Sequence, residues 1–160
     1  MQKTYQKSVD VEVPVPTAYA QWTQFESFPE FMEGVDEVRR TGDRLTHWRT
    51  SIGGVTREFD AEIAEQRPDE RIAWHAIDGV RQAGVVTFQR LDETRTRVHL
   101  QLELETEGPA ETLAAASGII GARIHGDLKR FKEFIETHGP ATGERRSRID
   151  PPTQSAPPVL

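Results

Sequence analysis

From about Gly34 to Glu107 apolar and polar residues alternate with a period near two, and the chain then switches to one long helical stripe. A period of two sends successive side chains to opposite faces of a strand, so this stretch can form a sheet with one buried face. Thr46, Trp48, Thr50 and Ile52 share one face of a strand, and Val55, Arg57, Phe59, Ala61 and Ile63 share one face of the next. Ile72, Trp74 and Ala76 continue the pattern, and Val98, Leu100, Leu102 and Leu104 carry it most clearly. Gly84-Val85-Val86-Thr87-Phe88-Gln89 is expected to be a strand that is either buried on both sides or weakly patterned. Gly53-Gly54, Pro68-Asp69-Glu70, Asp78-Gly79 and Asp92-Glu93-Thr94 are turn signals between these runs. Connections that short favour antiparallel pairing.

The flanks complete the architecture. Val9, Val11 and Val13 alternate with Asp10 and Glu12, which predicts a first strand ended by Pro14 and Pro16. Pro16 suits the first turn of a short helix continuing to Trp22. Ser27, with Glu30 three residues on, predicts the capping box of a second short helix. After Gly108-Pro109, the residues Leu113, Ser117, Ile120, Ile124, Leu128, Phe131 and Ile135 form the stripe of an amphipathic helix ending near His138-Gly139-Pro140. Gly118, Gly121 and Gly126 inside that helix are expected to mark close packing on the sheet.

The fold class is therefore α+β: a curved antiparallel sheet of about seven strands around a long C-terminal helix, with two short helices after the first strand. Residues 1–138 form this domain. Residues 139–160 hold five of the ten prolines and almost no large apolar residue, which predicts a Pro-rich disordered tail. Its Arg145, Arg146 and Arg148 offer contacts to an acidic partner, so recruitment of a partner through the tail is one functional reading.

Composition removes several others. With no cysteine there are no disulfides, thiol nucleophiles or thiolate metal sites. The net charge of −6, with no basic run, argues against nucleic acid as a partner. No run approaches the roughly 20 apolar residues that span a bilayer, so no integral membrane segment is expected. The polar start Met1-Gln2-Lys3-Thr4 lacks the apolar core of a signal peptide, and a cytoplasmic location is expected. His47, His75 and His99 fall on polar faces without ligand spacing, so neither a metal nor another cofactor is expected.

The order of elements resembles that of the START-like (SRPBCC) superfamily with the helix-grip fold, over roughly residues 1–138. Within it the chain is similar to the bacterial polyketide cyclase/dehydrase family. The resemblance rests on Val13-Pro14-Val15-Pro16 leading into Ala18-Tyr19-Ala20-Gln21-Trp22-Thr23, and on Phe25-Glu26-Ser27-Phe28-Pro29-Glu30-Phe31-Met32. It continues in His47-Trp48-Arg49, Ile72-Ala73-Trp74, Gly84-Val85-Val86-Thr87-Phe88, Thr96-Arg97-Val98 and Asp127-Leu128-Lys129-Arg130-Phe131-Lys132. It implies a deep apolar pocket between sheet and helix, holding a hydrophobic small molecule such as a lipid, quinone or polyketide-like compound. A second implied activity is that of an aromatase/cyclase or dehydrase, promoting aldol ring closure and dehydration of a poly-β-ketone. A homodimer is compatible with either.

On these grounds Phe28, Trp48, Phe59, Trp74, Val86, Phe88, Ile120 and Ile124 are candidate pocket residues, with Phe31 and Met32 near the mouth. Arg57 is the candidate catalytic group, because it shares a strand face with Val55, Phe59 and Ala61. A cation there could polarise a ketone or bind a carboxylate; at the strand's end it would reach solvent instead.

Overall fold

The structure, a computed structural model, describes residues 2–52, 55–77, 82–105 and 110–138, with backbone alone for residues 2, 3, 52, 55, 105, 110–120 and 138. The strands are β1 (Gln2–Val11), β2 (Val35–Arg40), β3 (Leu45–Ile52), β4 (Val55–Arg67), β5 (Arg71–Ala76), β6 (Gln82–Arg90) and β7 (Thr96–Glu105). Helix α1 (Val15–Trp22) and a 3-10 segment (Phe25–Glu30) follow β1, and the long helix α2 (Ala110–His138) closes the domain. The seven strands form one antiparallel sheet in the order β1-β7-β6-β5-β4-β3-β2. Strands β2 to β7 are thus a meander, and β1 adds to its far edge beside β7.

The alternation read from the sequence sets which face is buried. One row of directly paired residues runs Ile63–Trp74–Gly84–Leu102–Tyr5 across five strands. A parallel row runs Ile72–Val86–Leu100. Strand β6 alternates more cleanly than its sequence suggests: Gly84, Val86 and Phe88 are buried while Val85 and Thr87 are half-buried. It is a one-sided strand, and its short apolar residues on both faces obscured the period.

Register shifts between Val35 and Glu37 in β2, and between Ile63 and Glu65 in β4, interrupt the ladder. Such bulges bend a strand and raise its twist. In β4 the shift turns Gln66 inward, leaving it 1% exposed.

Helix α2 carries Ile124, Leu128, Phe131 and Ile135 into the core, each nearly fully buried. The upper stripe residues Leu113, Ser117 and Ile120 have no described side chains. Gly118 is likewise described by its backbone alone, and the turn pairs Gly53-Gly54 and Asp78-Gly79, the breaker Gly108-Pro109 and the tail 139–160 lie outside the described residues.

Trp22 anchors the short helices to α2. Its ring lies 5.0 Å from that of Phe131, 5.5 Å from Phe28 and 6.3 Å from Phe31. The Trp22–Phe131 pair is edge-on, a geometry that adds to the stabilisation from burial alone. The second short helix is 3-10 rather than capped α. Gln24 precedes it without a side-chain cap, and Ser27 Oγ donates to the Gln24 carbonyl at 2.6 Å. Pro29, within the segment, removes the amide a longer helix would need.

Candidate functional site

Sheet and helix leave a hollow between them. Its volume is about 130 Å³. An apolar cavity near 150 Å³ holds a benzene ring. The site thus has room for about one ring.

Each wall follows from a strand face or a helix face. Leu100, Leu102 and Leu104 of β7 supply one side, and Trp48 and Thr50 of β3 the other. Trp74 and Gln82 lie between them, from β5 and β6. Trp22 and Met32 come from the segment joining β1 to β2, and Val35 opens β2. Helix α2 contributes Arg123, Ile124 and Asp127. The chain has three tryptophans, and all of them (Trp22, Trp48 and Trp74) line this hollow.

The candidate residues divide in two. Trp48, Trp74 and Ile124 line the hollow. Phe28, Phe59, Val86 and Phe88 are buried in the core beside it, each at most 7% exposed, and are not in its wall. Phe59 stacks on Trp48 at 6.0 Å with the rings 11° apart, so it backs a wall residue. Phe28 packs 5.7 Å from Trp48 in the same way. Phe88 meets Tyr19 of α1 at 5.5 Å. Met32 lines the mouth, whereas Phe31 is buried against Phe131. Ile120 lies among the residues whose side chains are not described.

Arg57 has the strand parity expected of it, since it pairs with Thr50 one row beyond Trp48 and Phe59. That row is at the open end of the sheet, where Arg57 is exposed and outside the wall. A long cation at a strand end reaches water rather than give up its hydration. The cation of the wall is instead Arg123. Its signal in the sequence was its place on the flank of the α2 stripe, one residue before Ile124 and four before an acid, Asp127.

Asp127 is the other charged wall residue. It accepts the Glu33 amide at 3.1 Å and is paired with the Arg130 guanidinium. Burial pushes its carboxyl above the usual carboxylate range, against the opposing pull of that amide and of Arg130. Arg130 also donates from Nε to the Phe31 carbonyl at 2.9 Å. Asp127 and Arg130 therefore tie the segment Phe31–Glu33, at the mouth, to α2.

Among the described residues no cluster of three or more histidine, aspartate or glutamate side chains could hold a metal ion. No helix among them is long and apolar enough to cross a membrane.

A curved antiparallel sheet gripping one long helix, with an apolar hollow between the two, defines a START-like protein of the helix-grip fold. More particularly, the chain belongs to the family described as polyketide cyclase / dehydrase and lipid transport, whose model matches residues 11–133. It is 50% identical over 145 residues to an uncharacterized 17.2 kDa protein in the melC2-rnhH intergenic region of Streptomyces lincolnensis, covering 90% of this chain and 97% of the relative. Two solved structures share the fold. A START superfamily protein from Mycobacterium smegmatis superimposes with a TM-score of 0.72 at 16% identity, over 85% of this chain and 99% of that one. The Zhui aromatase/cyclase from Streptomyces sp. R1128 gives a TM-score of 0.72 at 13% identity, over 91% and 100%.

Proposed function

We propose that the protein binds one hydrophobic small molecule, a lipid, quinone or polyketide-like compound, in the hollow between sheet and helix. The observation that carries this reading is the open apolar wall made by Leu100, Leu102, Leu104, Trp48 and Trp74. Core side chains do not fill this space, and transfer of an apolar ligand from water into it is favourable by roughly 25 cal/mol per Å² covered. Family membership and the fold of the neighbours support the same reading.

The test uses the three wall tryptophans as the reporter. Titration with a naphthoquinone, a long-chain fatty acid and 2-acetylnaphthalene should change intrinsic fluorescence saturably, at one molecule per chain, for at least one of them. Purely linear, non-saturating changes with all three would reject the reading.

A second reading is aromatase/cyclase or dehydrase chemistry on a poly-β-ketone. It is favoured by one observation: Asp127, a carboxyl held above its usual range, faces the hollow on the same helix as Arg123. A carboxyl so tuned can take and give protons, and a guanidinium can stabilise an enolate. Turnover of a polyketide surrogate that falls by orders of magnitude in Asp127→Asn, with ligand binding retained, would support it. Equal turnover would remove it.

A further inference from the structure

We infer that Trp74 sets the size limit of the ligand: its indole is the floor of the hollow and confines the buried end of the occupant to about one ring. The inference rests on the binding function proposed above and names the residue that governs its selectivity.

Trp74 is 8% exposed and lines the hollow from β5. Its ring lies along the sheet. A Cβ added to Gly84 of β6 would fall 2.3, 2.5 and 2.9 Å from Cζ2, Cε2 and Cη2, so the benzo half of the indole covers the Gly84 backbone. Leu102 of β7, the partner of Gly84 on its other side, also lines the hollow. Ile63 of β4, the partner of Trp74, is 1% exposed and outside the wall. Between β5 and β7 this row of the floor is therefore the indole alone, because the residue beneath it has no side chain.

The other two wall tryptophans differ in what lies behind them. Trp48 is backed by Phe59 and Phe28, and Trp22 by Phe28, Phe31 and Phe131. Those neighbours can shift into space that a smaller residue leaves. Behind Trp74 at Gly84 there is only strand backbone, which cannot. A cavity persists where its surroundings cannot collapse. An indole is itself two fused rings, so Trp74→Ala should add room for about one further ring to the 130 Å³ already present.

The experiment adds rings one at a time. Acetophenone, 2-acetylnaphthalene and 2-acetylanthracene are titrated by calorimetry against wild type, Trp74→Ala, the milder Trp74→Leu and Met32→Ala, with folding checked by circular dichroism. In wild type and in Met32→Ala, which widens only the mouth, the third ring should add no affinity. In Trp74→Ala it should add at least about tenfold, and in Trp74→Leu a smaller gain. Gly84→Ala, which lifts the indole, should weaken 2-acetylnaphthalene binding. A third ring that adds tenfold in wild type or Met32→Ala, or adds nothing in both folded Trp74 variants, would overturn the inference and leave hydrophobic binding intact. Failure of the whole series and of the fatty acid to bind wild type would instead overturn the binding function.

Discussion

The ring of Trp74 occupies the place where a side chain on Gly84 would begin. The two residues face each other across β5 and β6, and a Cβ on Gly84 would fall 2.3 Å from Cζ2 and 2.5 Å from Cε2 of Trp74. Leu102 pairs with Gly84 on its other side. Glycine at this point lets an indole lie on the sheet and form the wall of the hollow.

Gly84→Ala should therefore destabilise the protein by about 1–3 kcal/mol, the usual cost of overpacking a filled site. Displacement of Trp74 should also change the intrinsic fluorescence. Thermal unfolding followed by tryptophan emission reads both. An unchanged midpoint and spectrum would show that the indole does not rest on this backbone.

Gly121→Ala should have the opposite sign. A Cβ at Gly121 would meet nothing within 4 Å, so this glycine does not mark the close packing expected of it. Alanine there should stabilise the domain by about 1 kcal/mol through helix propensity alone. A loss of stability in denaturant titration would mean that the α2 backbone is approached more closely at this turn.

His47 gives the fold a pH dependence. Its hydrogen bonds to Asp60 (2.7 Å) and Glu58 (3.2 Å) push its pKa above the ordinary 6.5. A raised folded pKa means that the folded protein holds the proton more tightly than the unfolded chain does. The contribution is complete below the ordinary value and is lost as pH rises through the raised one. The stability advantage of wild type over His47→Gln should thus be larger near pH 5.5 than near pH 8.5, both at about physiological salt. The effect should be small, because all three groups are partly exposed and screened. An advantage that grows toward high pH would contradict this pairing.

Arg130→Met should loosen the mouth. It removes the donor to the Phe31 carbonyl and the partner of Asp127. The global cost should be near 1 kcal/mol, reduced by the partial exposure of Arg130. Amide exchange in residues 31–35 should rise more than exchange in β7. Uniform acceleration throughout would show that the tether is not local.

Much of this architecture is legible in the alternation. Trp48, Phe59, Trp74 and Leu100 fall on the buried face because a period of two admits no other assignment. What period cannot tell is whether an inward residue meets the hollow or the core behind it. Phe59 and Trp48 are direct cross-strand partners on one face, yet Trp48 lines the space and Phe59 backs it. That difference is set by sheet curvature and by where α2 crosses. The same limit applies to Arg57, whose face was right but whose row lies at the open end. Arg123 and Asp127 flank a stripe that reads as ordinary amphipathic helix. Only the position of α2 against β1 and the Phe31–Glu33 segment turns them toward the hollow.

The most direct test of the account is to fill the hollow. Leu102→Trp places a larger side chain beside Gly84, and Leu104→Phe is a milder second variant. One-to-one binding of 2-acetylnaphthalene, measured by calorimetry, is expected in wild type. It should be lost or weakened at least about tenfold in both variants, with circular dichroism unchanged. Undiminished binding in folded Leu102→Trp and Leu104→Phe would place the ligand elsewhere and contradict the account.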